Sequence, residues 1–408
     1  MASAPVSFAR TGFDRDNPRS PLRTISLHQP KRLVFGSGCL ADCIAYLADL
    51  RPRHLHILVS HALLPAASRV HAELSAHGIA VSSDTRRGAG EPTIADFYQS
   101  LDQAREQNAD CILGIGGGSV LDLAKLIAAF QAASQTVEET FGIGLLRGRS
   151  CSLVCMPATA GTGSEVSPNA ILLDEGEKVK KGVVSPYLVP DATFVDPELA
   201  SSMPAALTAA TGLDALTHCV EAYTNRFAHP LVDLYALEGI RLVGRFLPHA
   251  VRQPNDLESR EAMSLASLYG GLCLGPVNTA AAHALAYPLA GEYHLAHGLS
   301  VALLLPHVLR FNAAASPERH AAVAEALGVH PHPDPLATAE AGTVRVMELM
   351  RDAGLTTGLR NYGIDSKAIP AMAASAMRVT RLLNNNPRPL TEDDCVQIYS
   401  NALNDGIC

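Results

Sequence analysis

Asp214 and His218 stand four residues apart in Thr211-Gly-Leu-Asp-Ala-Leu-Thr-His218. On a helix that spacing puts a carboxylate and an imidazole on one face, one turn from each other. Leu213, Leu216 and Val220 fill the rest of the stretch, so the pair sits near a wall of the core. Burying an ionised carboxylate costs several kcal/mol, roughly, unless a positive partner meets it, and a divalent cation is one such partner. An Asp–His hydrogen bond on a solvated face is the other reading. A second stretch, His283-Ala-Leu-Ala-Tyr287-Pro-Leu-Ala-Gly-Glu-Tyr-His294-Leu-Ala-His297, is apolar apart from Glu292, its tyrosines and its histidines. Gly298 follows His297 and predicts a sharp turn there, which would aim the histidine inward. Asp214 with His218, His283 and His297 is a donor set suited to iron(II), zinc(II), nickel(II) or cobalt(II) more than to magnesium or calcium. Each histidine taken singly is more often a core or surface residue than a ligand.

Two small-residue loops could hold phosphate. Gly114-Ile-Gly116-Gly117-Gly118-Ser119 lies between a predicted strand and a predicted helix, where glycines let the backbone approach a pyrophosphate and the helix N-terminus favours its charge. The spacing is not G-x-G-x-x-G, because Ser119 takes the third glycine position. Asp122 and Lys125, one turn on, read equally as a solvated pair. Thr159-Ala-Gly161-Thr162-Gly163-Ser164-Glu165 offers hydroxyls and free N–H groups for phosphate, ribose and amide contacts. A ligand-free glycine turn and a turn with a helix cap stay open as alternatives.

The elements that must position these groups change character along the chain. Up to about residue 200, short apolar runs alternate with helical periods, which predicts α/β with a mainly parallel sheet. Strands are expected at residues 55–60, 79–83, 111–115, 152–156 and 192–195, helices at 66–76, 93–108 and 121–132, and a hairpin at 170–185 around Asp174-Glu-Gly-Glu. From Pro204 onward nearly everything has helical period, with breaks at Pro230, Pro254, Gly270-Gly271, Gly298, Pro306 and the Pro-rich segment 330–335. The reading is an α/β dinucleotide-binding domain over 1–200 and an all-α metal and substrate domain over 201–408, closely packed because no linker separates them.

Composition narrows the class. A chain of 408 residues holds two full cores, and its 18% charged residues exclude general disorder. A net charge of −8 gives no footprint for nucleic acid, and no apolar run reaches membrane-spanning length. Nine cysteines without paired spacing favour a reducing cytoplasm. Arg10, Arg15, Arg19 and Arg23 are interrupted by Asp14 and Asp16 with no apolar segment after them, which argues for a loose tail rather than a signal peptide.

The stretches 211–218, 283–286 and His297-Gly-Leu-Ser-Val-Ala-Leu-Leu-Leu-Pro306, with Gly116–Ser119, 157–165 and Asn386-Pro-Arg-Pro389, resemble in order the iron-dependent (group III) alcohol dehydrogenases. The resemblance runs over nearly the whole chain. It implies a Rossmann-like α/β half before an all-helical half. It implies that Asp214, His218, His283 and His297 hold one metal, iron(II) first with zinc(II) as the alternative. It also implies that Gly116, Gly117, Gly118, Ser119, Asp122, Thr159, Thr162 and Ser164 bind NAD or NADP, with Lys180 or Lys181 near the cofactor. The implied activity is hydride transfer between nicotinamide and a small alcohol, aldehyde or ketone, with the metal as Lewis acid, in a homodimer.

Three positions depart from the family pattern. Ala158 stands where a threonine is common. Tyr287 stands where many relatives carry a proton-relaying histidine; it is expected to be a pocket wall, with a catalytic role as the alternative. His61 stands where many NAD-preferring relatives carry an aspartate, so acceptance of NADP is expected. Leu274, Asn278 and residues beyond Asn386 are expected to line the pocket. A maleylacetate-type reductase, a glycerol-dehydrogenase-like enzyme and a non-enzymatic nucleotide-binding assembly module are the rival readings.

Overall fold

Leu55–Val59 is apolar or shielded at every position, so the strand containing it can only lie inside a sheet covered on both faces. The computed structural model describes residues 22–86, 90–177 and 179–404. In chain order β1 (Arg32–Phe35), α1 (Leu40–Leu50), β2 (His54–Ser60), α2 (Leu64–Ala76), β3 (Ala80–Arg86), α3 (Ile94–Glu106), β4 (Cys111–Gly116), α4 (Gly118–Phe130), β5 (Gly142–Ile143), β6 (Ser152–Pro157), β7 (Asn169–Asp174), β8 (Val179–Val184) and β9 (Ala192–Val195) form the first half. The main sheet has order β1-β9-β6-β4-β2-β3 and its pairs are all parallel. Alternation along the strands splits its core. Leu55, Ile57 and Val59 pack with Cys43 and Leu47 of α1 and Val70 and Leu74 of α2. Leu58 and Ile112 face Phe97 and Leu101 of α3 and Leu121 and Leu126 of α4. A smaller sheet, β5-β8-β7, contains the expected hairpin and packs on α4.

The second half is helical: α5 (Ala205–Thr224), α6 (Pro230–Arg252), α7 (Leu257–Leu274), α8 (Ala281–Tyr293), α9 (His297–Ala313), α10 (Pro317–Ala326), α11 (Pro335–Asp352), α12 (Ile369–Met377), α13 (Thr380–Leu383) and α14 (Glu392–Asn401). From Thr208 on, α5 is buried at nearly every position, packed against α6, α7 and α9.

Three expected helix breaks do not occur. Gly270-Gly271 lies inside α7, while Gly298 and Pro306 lie inside α9. Gly271 is there for close approach, since a Cβ on it would meet the Gly163 carbonyl at an impossible separation. Gly298 is likewise pressed against the Ala210 carbonyl of α5. The sharp turn comes earlier, at His294, whose φ of 56° ends α8 in the left-handed conformation. Pro306 is tolerated because a buried apolar face holds α9 in place. The expected loose tail at 1–21 lies outside the described residues. Arg23, counted with it, donates to the carbonyls of Phe227 and Pro276 at 3.2 Å.

Candidate metal and nucleotide site

Asp214, His218 and Glu221 recur at i, i+4 and i+7 on α5, so one face of the most buried helix carries two carboxylates and an imidazole. Asp214 Oδ1 is the hub. His283 Nε2 from the first turn of α8 lies 3.4 Å from it, His297 Nε2 from the start of α9 lies 3.6 Å away, and His218 Nε2 lies 4.0 Å away. Asp214, His283 and His297 offer ligand atoms that all lie within 4.8 Å of one another. His218 stands at the rim of this group, stacked on His283 with ring centroids 4.6 Å apart. Its Nδ1 donates to the Gly161 carbonyl at 3.3 Å, which leaves Nε2 free on the Asp214 side.

Glu221 orients His283. Its carboxylate accepts the backbone N–H groups of Ala280 (2.9 Å) and Ala282 (2.5 Å), capping α8, and accepts His283 Nδ1–H at 2.6 Å. With Nδ1 committed as a donor, Nε2 is the nitrogen turned toward Asp214. Asp214 Oδ1 and His283 Nε2 are both buried without a hydrogen-bond partner among the described residues. Two lone pairs facing each other in a buried site are costly, and a cation between them removes the cost. The donor set, one carboxylate with up to three imidazoles, fits a divalent transition metal. Without a cation, burial alone would lower the His283 imidazole, but Glu221 and Asp214 outweigh it and push it up to about 9. Burial and the Lys180 ammonium push His297 down to about 4. Burial also lowers His218. Although burial opposes it, the surrounding imidazoles hold Asp214 below the usual carboxylate range.

The glycine loops meet beside this group, at the C-terminal edge of the main sheet. Gly116 ends β4 against Ser60 at the end of β2, and Gly117 begins the turn into α4. A Cβ on Gly117 would lie 3.1 Å from Thr159 Cγ2, and one on Gly118 would lie 2.7 Å from Thr162 Oγ1. The two loops are therefore pressed face to face, with Gly117, Gly118, Ser119, Thr159 and Thr162 half-buried around the junction. Asp122 and Ser164 are deeper: Ser164 Oγ donates to Asp122 at 2.5 Å, and the Ile171 N–H donates to its other oxygen at 2.9 Å. Lys125 is also buried, 3.8 Å from Asp122, so the pair is not solvated. Burial raises the Asp122 carboxyl and lowers the Lys125 ammonium. These residues tie the loops to β7. His61 is exposed in a short turn directly after β2.

Lys180 and Lys181 separate cleanly. Lys181 pairs with Asp174 and Glu177 at 2.8 Å on the outside of the hairpin. Lys180 is only 3% exposed, pairs with Glu91 at 2.5 Å and holds its Nζ 5.9 Å from the Tyr287 ring centroid. Tyr287 is one turn from His283 on α8. Asn386 exchanges side-chain hydrogen bonds with Asn312 at 2.7 and 2.9 Å.

Residues 30–197 match the iron-containing alcohol dehydrogenase family, and residues 208–403 match the C-terminal region of the same family. The chain belongs to that family. It is an oxidoreductase acting on alcohols and aldehydes, which sets aside a purely structural assembly module. It is 33% identical over 314 residues to an NAD-dependent methanol dehydrogenase of Bacillus methanolicus, covering 77% of this chain and 82% of that one. The crystal structure of a 1,3-propanediol oxidoreductase superposes with a TM-score of 0.89 at 32% identity, over 93% of this chain and all of the other. A sulfoacetaldehyde reductase from Bifidobacterium kashiwanohense, in complex with NAD+, superposes at 0.82 with 26% identity, over 93% and 99%.

Sequence reasoning passed over Glu221 and Glu91. Glu221 continues the Asp214–His218 spacing by one more turn, a signal that was available. Glu91 precedes Pro92 in a loop and meets Lys180 from 89 positions away, which no local pattern shows.

Proposed function

We propose that this chain reduces short aldehydes and oxidises short primary alcohols with NAD or NADP, using one divalent metal, iron(II) in preference to zinc(II). The metal would be held by Asp214, His283, His297 and His218. The observation that carries this is the buried, unpartnered Asp214 Oδ1 facing the unpartnered His283 Nε2 at 3.4 Å. A cation there supplies Lewis acidity to the substrate oxygen, and the nicotinamide supplies or takes the hydride. Glu221 fixes the His283 ring, and Gly161 fixes His218. Gly116–Ser119 and Thr159–Thr162 receive the dinucleotide phosphates and ribose at the start of α4, while Asp122 and Ser164 hold those loops in register. Lys180, paired with Glu91, orients the cofactor's nicotinamide end, and Tyr287 walls the pocket.

Residues 1–200 and 201–408 act as the two halves of one cleft. This is supported by contacts between the 159–165 loop and α7. NAD use is supported by the relatives above. A homodimer is supported by the outer edge of β1, where Leu33 and Phe35 are exposed. Eight buried free thiols suit a reducing cytoplasm. Oxidation of NADH near 340 nm with a panel of small aldehydes, run with added iron(II), zinc(II) or chelator, tests the reading. Absence of turnover under every condition overturns it.

A further inference from the structure

Arg381 on α13 has its Nη1 buried, with no hydrogen-bond partner among the described residues. Its Nη2 lies 3.8 Å from where a Cβ on Gly182 would stand. The guanidinium therefore shares with Ile171, whose Cδ1 would lie 3.0 Å from that Cβ, the face of β8 that a side chain at 182 would occupy. Side chains alternate along a strand, so this is the face that carries Lys180, roughly 7 Å back along β8. Lys180 reaches Tyr287, and Tyr287 is one turn from His283. α8 packs on both β8 and α13, which brings the guanidinium to the flank of the same cleft.

The neighbouring cations are matched, and among the described residues Arg381 is not. Lys180 has Glu91, and Lys181 has Asp174 and Glu177. A part-buried guanidinium without a counter-charge is unfavourable, and its planar fork suits a carboxylate or another oxyanion in two-point contact.

We propose that Arg381 anchors the anionic end of the substrate, a short aldehyde or alcohol whose far end carries a carboxylate or a sulfonate. The proposal deepens the function proposed above and rests on it for the position of the reacting end. The test uses the metal-loaded enzyme, its Arg381→Gln and Arg381→Lys variants, and three aldehydes of matched length: 4-oxobutanoate, 3-oxopropane-1-sulfonate and butanal. Wild type is expected to favour at least one anionic aldehyde over butanal by tenfold or so in kcat/KM. Arg381→Gln should lower that ratio about 10- to 100-fold, mainly through KM, in keeping with loss of a charged hydrogen bond. Arg381→Lys should restore part of it. Which anionic aldehyde leads decides between carboxylate and sulfonate. A wild-type ratio near one, or an equal loss on all three aldehydes, overturns the anchor. Calorimetric binding of succinate and ethanesulfonate keeps the two readings apart. If no aldehyde turns over, weaker binding to Arg381→Gln upholds the anchor while the reaction is wrong. Equal binding to wild type and variant overturns the anchor itself.

Discussion

Glu221 decides which nitrogen of His283 meets Asp214, and through it the acid–base behaviour of the site. With no cation present, a proton on His283 occupies the place between the two lone pairs, and its affinity is pushed up to about 9. That raised value stabilises the folded metal-free protein fully below about pH 6.5, the ordinary histidine value, and the contribution fades as pH rises through 9. His297, pushed down to about 4, stays neutral in this window and does not offset it. Thermal melts of metal-free protein should therefore show stability falling between pH 6.5 and 9, by on the order of 3 kcal/mol in total. Metal-loaded protein should not show that slope, and a flat metal-free profile would speak against the arrangement. Tyr287 gives a second expectation. As a wall it should tolerate Phe with kcat/KM within about tenfold, whereas loss of a proton relay typically costs 10²–10⁴. A loss in the larger range, with metal still bound, would make Tyr287 a catalyst. At this scale the Asp214–His218 pair was legible from its i, i+4 spacing, and His283 and His297 from their place in one apolar stretch. Glu91 and Arg381 were not, because each gains meaning only from a partner far away in the chain.

Close backbone approach, rather than turns, explains the glycines in the helices. Gly298 was read as a turn because it follows a histidine and precedes an apolar run; it lies instead in the first turn of α9, against the Ala210 carbonyl of α5. Its missing Cβ sets how near His297 comes to Asp214. Gly298→Ala should push α9 outward, with an overpacking cost of about 1–3 kcal/mol. The expected result is a lower melting temperature together with weaker metal retention, read as metal per chain after dialysis. Wild-type retention would show that α9 can shift without moving its histidine. The central strands were legible to within a residue or so, since continuous apolar runs between glycines and polar turns leave few alternatives. β1 and α1 were passed over: β1 is a four-residue edge strand with mostly exposed side chains, although Leu40, Cys43, Ile44 and Leu47 do mark α1 by period.

The whole molecule places the C-terminal edge of a parallel sheet opposite a helical block, the position where open α/β sheets bind ligands. His61 lies on that edge, exposed just beyond β2 and next to Ser60, which contacts the Gly116 loop. Position 61 itself carries no carboxylate to repel a 2′-phosphate, so NADP should be accepted, and His61→Asp should shift the ratio of catalytic efficiencies toward NAD. A wild type that already rejects NADP by about a thousandfold, near 4 kcal/mol, would place the choice elsewhere. The metal proposed at Asp214 should be indispensable to turnover. Reconstitution of metal-stripped protein tests this most directly. Chelated wild type should keep less than about 1% of its aldehyde reductase activity and regain it on addition of about one equivalent of iron(II) or zinc(II) per chain, with no recovery in His297→Ala. Full turnover by stripped protein would contradict the metal site at Asp214.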